Sequence, residues 1–294
     1  MPSLKEVRNR INSVNSTKQI TNAMKMVSAS KLRRNQEAVL KLRPYIKKFT
    51  EIIDSISSMS EQNNEISPFL GQRLINNVLI ISVSSNRGMC GSFNSNVIKQ
   101  TVNLINEDYA ELNQAGKVSI ISIGKKTSDY FNRNKYNIIN KYDSIYDKLN
   151  YENILPIIDS ITKMYINKEF DICVVVSNRF KNAAVYDLTV EQLLPIKLNS
   201  SQENKTKKQD YIFEPNKEQI LSSLIAQYIK IQFYRTLLSS FAAEHGSRMA
   251  AMSKATDNAM ELLKGLRLSY NKARQTSITN EILEIVGGAE ALRK

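Results

Sequence analysis

The first 60 residues carry apolar side chains at the spacing of a helix that packs along one face. This spacing begins at Leu4, slips near Thr17 and then returns. The apolar positions are Leu4, Val7, Ile11, Val14, Ile20, Met24, Val27, Val39, Leu42, Ile46, Phe49, Ile53 and Ile56. Steps of three and four residues are typical of a coiled-coil seam, and a slip locally unwinds the supercoil. The pattern predicts one helix over 3–59, roughly 80 Å long, in which Pro44 should cause a kink.

The middle of the chain has a different pattern, in which short runs rich in Val and Ile alternate with stretches of helical spacing. The predicted strands lie at 78–83, 117–123 and 171–176, with an edge strand at 184–190. The predicted helices lie at 95–114 and 150–167. Strands that are buried on both faces and alternate with helices indicate a mainly parallel α/β sheet.

Helical spacing returns at Pro215 and continues almost to the C-terminus, where Gly287 and Gly288 would end the helix. The predicted seam positions are Leu221, Leu224, Tyr228, Ile231, Met252, Ala259, Leu263, Leu266, Tyr270, Ala273, Ile278, Ile282 and Ile285. The predicted fold is an antiparallel coiled coil of the N- and C-terminal helices with an inserted Rossmann-like α/β domain. The segments are 1–60 for the first helix, 61–211 for the α/β domain and 212–294 for the last helix.

Positive charge is concentrated in the first helix. The formal net charge is +13, and residues 1–48 hold twelve Lys or Arg against two Glu. Three explanations stay open on these residues alone: a solvated helix face, a nucleic-acid surface and a surface for an acidic protein. The basic stretch has no aromatic residue before Tyr45, which disfavours nucleic acid. The longest apolar runs are far shorter than eighteen residues, so no membrane-spanning helix is predicted.

The sequence lacks the common motifs of catalysis. The turn 85–91 follows a predicted strand, where phosphate loops occur, but it has no Gly-Lys-Ser/Thr. His245 is the single histidine, which disfavours a triad or a zinc site and favours packing or a solvated position. Cys90 and Cys173 fit neither a disulfide framework nor a zinc motif and are interpreted as structural thiols. We therefore expect no catalytic residue, no cofactor and no metal site, and no tight nucleotide binding by the isolated chain.

Charged residues near the C-terminus stand in an order that opposes the helix dipole. Lys272 and Arg274 come first and Glu281 and Glu284 come last, whereas carboxylates are favoured at a helix start and cations at its end. This order suggests that the charges serve a contact outside the helix. The run Ile-Thr-x-Glu-x-x-Glu-x-x-x-Gly-Ala at 278–289 resembles the C-terminal signature of the gamma subunit of F-type ATP synthases.

Three further blocks resemble the same family, and the four blocks follow the family order along the whole chain. They are Ile-Thr-x-Ala-Met-x-Met-Val-x-Ala-x-Lys-Leu within 11–34, Ser-Asn-Arg-Gly-Met-Cys-Gly-x-Phe-Asn at 85–94, and 242–259, which begins Ala-Ala-Glu-His. The second block has Asn86 and Met89 where the family usually has Asp and Leu, and in that family this turn is structural. The chain shows no cysteine-bearing insert of the plastid type, so the resemblance implies a bacterial gamma subunit.

This resemblance implies a function and a set of partners. A gamma subunit is the non-catalytic rotor of the central stalk, present in one copy, that turns inside a ring of alpha and beta subunits. It couples ATP synthesis or hydrolysis there to proton or sodium flow. The implied partners also include the epsilon subunit and the membrane c-ring, which the α/β domain would bind, but no nucleic acid. The implied location is peripheral, on the cytoplasmic face of the bacterial plasma membrane.

The resemblance also implies which residues contact those partners. Met24 and Lys25 match the place where the shaft meets an acidic segment of beta, and Arg248 matches a residue implicated in coupling. The positions that match contacts with the beta catch loops and the upper bearing are Arg274, Gln275, Thr279, Glu281 and Glu284. A basic coiled-coil nucleic-acid binder and a nucleotide-binding enzyme are the rival hypotheses, and neither accounts for the four family blocks.

Overall fold

The computed structural model describes residues 3–58, 69, 71, 73–146, 149–183, 185–196 and 217–291. A long helix lies at each end of this described chain, α1 (Leu4–Ser58) and α6 (Lys217–Ala291). Between them, in chain order, lie β1 (Val78–Val83), α2 (Phe93–Asn106), α3 (Ala110–Gln114), β2 (Val118–Ile123), α4 (Lys125–Arg133), β3 (Ile138–Tyr142), α5 (Tyr151–Ile166), β4 (Ile172–Phe180) and β5 (Tyr186–Leu194). The predicted fold class is confirmed.

The strands form one sheet in the order β3-β2-β1-β4-β5. β1 pairs in parallel with both β2 and β4, and β2 pairs in parallel with β3. β5 runs antiparallel to β4 at the edge, where the sequence predicted an additional edge strand. The sheet is therefore mainly parallel, as the alternation of strands and helices indicated.

Both faces of the sheet are covered by helices. Odd-numbered residues of β1, such as Leu79 and Ile81, pack in one apolar layer that includes side chains of α5 and α6. Even-numbered residues, such as Ile80, pack in a second layer with Val97 of α2 and Phe131 of α4. Successive strand residues point to opposite faces, so a strand covered on both sides needs apolar residues throughout. This explains why β1 is a continuous apolar run.

Several local features differ from the sequence prediction. The strand β3 and the helix α4 were not predicted, because both are short and rich in polar residues. The predicted helix 95–114 is divided into α2 and α3. Helix α6 continues through Gly287 and Gly288, which were predicted to end it, whereas α1 includes Pro44, as the predicted helix 3–59 does. A glycine lowers helix stability by only about 1 kcal/mol and keeps its N–H donor, so it does not by itself end a helix.

The chain forms two compact units, one of residues 1–29 with 248–294 and one of residues 30–247. Each terminal helix contributes residues to both units. The predicted division at 60/61 and 211/212 stays a prediction, and both boundaries lie outside the described residues, as does Pro215. The side chain of Leu221, a predicted seam position, also lies outside the described part.

The glycine that joins β2 to α4 provides a test of the fold. Gly124 has a φ of +95°, and a Cβ atom there would lie 2.2 Å from the carbonyl oxygen of Ser84. Replacement of Gly124 by Ala should therefore lower the free energy of unfolding by about 3 kcal/mol or more, since backbone strain and a clash add together. Thermal and urea unfolding of the full chain, followed by circular dichroism, measures the loss.

Gly116→Ala is the matched control. Gly116 also has a positive φ, +70°, but no heavy atom lies within 4 Å of its added Cβ. It should lose only about 1 kcal/mol, the cost of the left-handed conformation. Equal losses in the two variants would show that Gly124 does not approach the Ser84 backbone.

Candidate functional site

All eight residues that the sequence singled out for partner contact belong to the first compact unit, residues 1–29 and 248–294. Two lie on α1 and six on α6. They are Met24, Lys25, Arg248, Arg274, Gln275, Thr279, Glu281 and Glu284. The geometry of this unit decides which of them are available to a partner.

Two side-chain hydrogen bonds fix how α1 and α6 pair within this unit. The hydroxyl of Thr256 donates to the hydroxyl oxygen of Thr21 at 2.9 Å, and the Nζ of Lys25 donates to the Oγ of Ser253 at 3.0 Å. From Thr21 to Lys25 the chain advances four residues along α1, while the residue that faces it moves back three residues along α6, from Thr256 to Ser253. The two helices are therefore antiparallel, as predicted.

The seam of α1 in this unit runs without the predicted slip. Its buried or half-buried positions include one regular row, formed by Val7, Ile11, Val14, Lys18, Thr21, Lys25 and Ser28. These alternate in steps of four and three, which is an unbroken heptad pattern. Ile20 and Val27, which the sequence analysis assigned to the seam, are 60% and 58% exposed. That assignment was wrong, because Thr21, Lys25 and Ser28 occupy the seam in this stretch and the two apolar residues lie beside it.

Small hydroxyl side chains suit these buried positions. Thr21 donates to the carbonyl oxygen of Lys18, and Thr256 also lies 2.8 Å from the carbonyl oxygen of Met252. Their hydroxyl groups thus have partners although both residues are buried, which removes most of the penalty of burying a polar group. On α6 the seam follows the prediction and includes Met252, Ala259, Leu263, Leu266, Tyr270 and Ala273.

The register leaves the end of α6 without a facing helix in this unit. Because Thr21 faces Thr256, Leu4 at the start of α1 falls opposite a residue near Ala273. Every described side chain of α6 from Ile278 to Ala289 is exposed. Ile278, Ile282 and Ile285, which were predicted to complete the seam, are 48%, 55% and 72% exposed. That prediction was wrong, since the partner helix begins too late to cover them.

The predicted contact residues fall into two groups. Met24 and Lys25 are half-buried and Arg248 is buried, with 6% of its surface exposed. The other group is exposed on the end of α6 and consists of Arg274, Gln275, Thr279, Glu281 and Glu284. Within it, Thr279 donates to the carbonyl oxygen of Gln275 at 2.9 Å, and Glu281 accepts a bond from Ser277 at 3.5 Å. The exposed group presents both charge signs to solvent.

Sequence reasoning missed the apolar surface that accompanies these charges. The exposed residues Ile278, Ile282, Leu283, Ile285 and Val286 lie among Glu281 and Glu284. On α1, Ile20, Met26 and Val27 are also exposed. The sequence did contain a signal for this surface, because the spacing of Ile278, Ile282 and Ile285 places them on one helix face. The sequence could not tell whether that face packs inside the chain or against another molecule.

The turn 85–94 uses its polar groups to hold itself together. The backbone N–H of Ser85 donates to Asn94 at 2.9 Å, and its hydroxyl donates to the carbonyl oxygen of Arg87 at 2.6 Å. Ser247 of α6 donates to the carbonyl oxygen of Cys90 at 2.5 Å. These bonds tie the turn to itself and to α6. The turn also lacks the Gly-Lys-Ser/Thr of the common phosphate-binding loop.

The other candidate reactive groups are packed in the interior of the second unit. Cys90 and Cys173 are buried, and burial raises the pKa of the Cys173 thiol far above its usual value. A thiol that stays protonated is a poor nucleophile. His245 is buried, and its ring lies edge-on to Phe241 with the centroids 4.6 Å apart. These residues serve packing, as the sequence analysis expected.

The described ranges, 3–58 through 217–291 with their gaps, contain neither a metal-ligand cluster nor a membrane-spanning helix. Within them no group of three or more His, Cys, Asp or Glu could hold a metal ion. No described helix combines the length and the apolar character that a membrane crossing requires.

Comparison with known proteins gives the family. The sequence model of the family described as ATP synthase matches residues 3–292. The ATP synthase gamma chain of Flavobacterium johnsoniae is 48% identical over 99% of both chains, and that of Christiangramia forsetii is 47% identical over 99% of both. The chain belongs to the ATP synthase gamma family. The prediction made from the four sequence blocks is therefore confirmed.

Solved structures agree with the fold. A chain of the Euglena gracilis mitochondrial ATP synthase superposes with a TM-score of 0.68 at 18% identity, covering 98% of this chain and 94% of that one. A chain of the central stalk and c-ring structure from Tetrahymena thermophila gives a TM-score of 0.60 at 22% identity, covering 80% and 99%. At these identities the likeness concerns the fold alone.

The structure explains one position at which this chain differs from the usual gamma-family sequence. Asn86 stands where the family usually has Asp, and its side chain bonds in two directions. Its Oδ1 accepts from the backbone N–H of Lys125 at 3.1 Å, and its Nδ2 donates to the carbonyl oxygen of Asp143. An aspartate has no donor for the second bond. The exchange thus adds a link to the segment after β3 while it keeps the turn.

The hydroxyl pair in the seam can be tested by mutation. Thr256→Val removes the donor to Thr21, and each single Val variant should destabilise the unit by about 1 kcal/mol, the net value of one hydrogen bond. The double variant Thr21→Val with Thr256→Val should recover stability to the wild-type level or above, because the seam then becomes apolar. Thermal unfolding followed by circular dichroism reports all four proteins.

Thr276→Val serves as the control, since Thr276 is exposed and bonds only within its own helix, to the carbonyl oxygen of Lys272. Its melting temperature should stay near that of the wild type. If the double variant loses the sum of the two single losses, the threonines do not interact and the register proposed from them is wrong.

Proposed function

We propose that this chain is the rotor of the central stalk of a bacterial F-type ATP synthase. In this role it couples rotation, driven by proton or sodium flow across the membrane, to ATP synthesis or hydrolysis at the beta subunits. It takes part mechanically and carries no catalytic residue of its own. The rotor contacts each beta subunit differently, so the three nucleotide sites differ in affinity. Rotation passes each affinity from one site to the next.

The observation that supports this role most strongly is the exposed apolar end of α6. Ile278, Ile282 and Ile285 form a row on a helix that no other helix of the first unit faces. Exposed apolar rows of this kind usually mark an interaction surface. A sleeve formed by the alpha and beta subunits would cover this row. Rotation requires that the cover be apolar and smooth rather than locked by ion pairs.

The charged residues of the same unit would supply the position-dependent contacts. Arg274, Gln275, Thr279, Glu281 and Glu284 are exposed on α6, and we assign them to contacts with the beta catch loops and the upper bearing. We assign Met24 and Lys25 to the contact with the acidic segment of beta. The basic charge of residues 1–48 supports that assignment, because opposite charges steer two surfaces together. Arg248 is buried and would act by holding the helix in position.

The second unit would connect the rotor to the ion-driven part of the enzyme. We propose that its α/β sheet and helices bind the epsilon subunit and the membrane c-ring, with one gamma chain in each complex and no nucleic acid. The complex would place the chain peripherally, on the cytoplasmic face of the bacterial plasma membrane. The ATP synthase assemblies among the structural neighbours support this context.

Assembly with alpha and beta subunits tests the proposed role. The tagged full-length chain is co-expressed with the alpha and beta subunits of the same organism, purified through its tag and treated with nuclease. One chain should co-elute with three alpha and three beta subunits, and the purified complex should hydrolyse ATP. Recovery of the chain without those subunits, or with nucleic acid that protects it from nuclease, would contradict the proposal.

A substitution at Met24 tests the proposed contact with beta. Met24→Lys adds a cation beside Lys25 at a half-buried position. A new ion pair formed in only some rotary positions would lower the free energy of those positions by roughly 1–3 kcal/mol at a partly desolvated interface. Uneven stabilisation raises the barrier to rotation. ATP-driven proton pumping in membrane vesicles, normalised to the ATPase rate, should therefore fall while hydrolysis persists.

Ser16→Lys is the matched control, because it adds the same charge two turns earlier on α1, at an exposed residue outside the apolar surface. Its effect on the pumping ratio should be smaller. A normal ratio in the Met24 variant would mean that Met24 does not face beta and that the residue assignment is wrong, even if the complex assembles.

A further inference from the structure

A cavity of about 260 Å³ lies in the second compact unit, between α1, the segment that follows β3, and α6. Polar side chains from α1 form one wall, and the other two elements contribute mainly apolar and aromatic side chains together with Asn150. The lining includes Lys31, Arg34, Asn35, Tyr146, Leu149 and Phe241. The coupling residues discussed above are not among them, because all of those belong to the first unit.

The polar wall offers donors that have no acceptor within the described part of the chain. Lys31 and Arg34 form none of the ion pairs found there, whereas their neighbour Arg33 pairs with Glu37 at 3.3 Å. Asn35 is 9% exposed, and its buried Nδ2 has no hydrogen-bond partner among the described residues. A buried donor without an acceptor costs about 1–3 kcal/mol. This wall is therefore suited to bind an acceptor from outside the chain.

The charge of the cavity favours an anion. Two cationic side chains line it, and the described lining contains no carboxylate. The nearest relevant acid is Glu244, which lies close to the Tyr146 hydroxyl but does not line the cavity. Burial, and to a lesser degree Glu244, raises the pKa of Tyr146, so the phenol stays neutral. Guanidinium and amide groups together are well suited to an oxyanion.

The apolar wall indicates what the rest of the ligand is. Tyr146 and Phe241 are stacked, with ring centroids 5.0 Å apart and planes at 16°, and Leu149 is half-buried beside them. Water occupies about 30 Å³ per molecule in the liquid, so the cavity has room for several waters. An inorganic anion alone would leave the apolar wall in contact with water. A ligand with an apolar part would cover it.

We propose that this cavity binds a small organic oxyanion, a compound with one carboxylate or phosphate group and an apolar or aromatic part. Arg34, Lys31 and the amide of Asn35 would hold the oxyanion, and Phe241 and Leu149 would contact the apolar part. The proposal does not rest on the role of the chain as a rotor, because it uses only contacts within the second unit.

Calorimetric titration of the full-length chain tests the site. The probes are phenyl phosphate, inorganic phosphate and phenol. Phenyl phosphate should bind saturably at one site and at least tenfold more tightly than inorganic phosphate, and phenol should not bind in the same range. Absence of saturable binding up to millimolar phenyl phosphate would overturn the proposal. Equal affinity for the two phosphates would overturn the part that concerns the apolar wall.

Variants locate the binding. Arg34→Gln and Asn35→Leu should each weaken phenyl phosphate at least fivefold, whereas Arg33→Gln, the same charge change one residue earlier at an 84% exposed side chain, should leave affinity unchanged. Asn35→Leu should keep or raise the melting temperature, since it removes a buried unsatisfied amide. Equal losses from Arg33→Gln and Arg34→Gln, or full affinity in folded Asn35→Leu, would overturn the assignment.

Discussion

The register of α1 on α6, fixed where Thr21 meets Thr256, is the constraint on which the first unit depends. In an antiparallel pair one contact determines every other contact along the seam. It sets Lys25 against Ser253 and brings the start of α1 opposite a residue near Ala273. Everything on α6 beyond that point has no facing helix in the unit. The polar seam thus decides which apolar residues remain exposed.

This arrangement has an energetic consequence for the protein alone. Exposed Ile282, Leu283 and Ile285 gain nothing from burial until a partner covers them, and each would contribute roughly 1.5–3 kcal/mol when fully buried. Buried threonine and serine in the seam give less apolar stabilisation than isoleucine or leucine would. A coiled coil optimised for its own stability would place these residues the other way round. The sequence therefore favours an interaction surface at some cost to the isolated helix pair.

The second unit has the opposite character, with its strand residues buried between helices on both faces. Its reactive side chains are enclosed: Cys173 is held protonated by burial, and His245 packs on Phe241. The turn after β1, at the place where α/β proteins often bind phosphate, bonds to itself and to Ser247. A scaffold that binds other proteins needs rigid surfaces rather than an open catalytic cleft. In this unit the amide nitrogen of Asn35, which has no hydrogen-bond partner among the described residues, lines a cavity instead.

The sequence by itself determined the family, the fold class and the elements whose pattern is strong. The β1 run is apolar throughout because both of its faces are covered, and the four family blocks identify a gamma chain without any coordinates. The weaker elements, β3 and α4, are too short and too polar for periodicity to detect. All eight predicted contact residues remain proposals, since contacts with other subunits leave no mark within one chain.

Only the tertiary structure decided which helix face is the seam and where it ends. Hydrophobicity placed Ile20, Val27 and Ile278 in the seam, yet all three are exposed. Thr21 and Ser28 are buried in their place. Small side chains fit between two close helices, and the Thr21 hydroxyl donates to the carbonyl oxygen of Lys18. A row of apolar side chains on one helix face indicates a surface that is usually covered. Whether that cover is the same chain or another one depends on length and register, which are properties of the pair of helices rather than of either sequence segment.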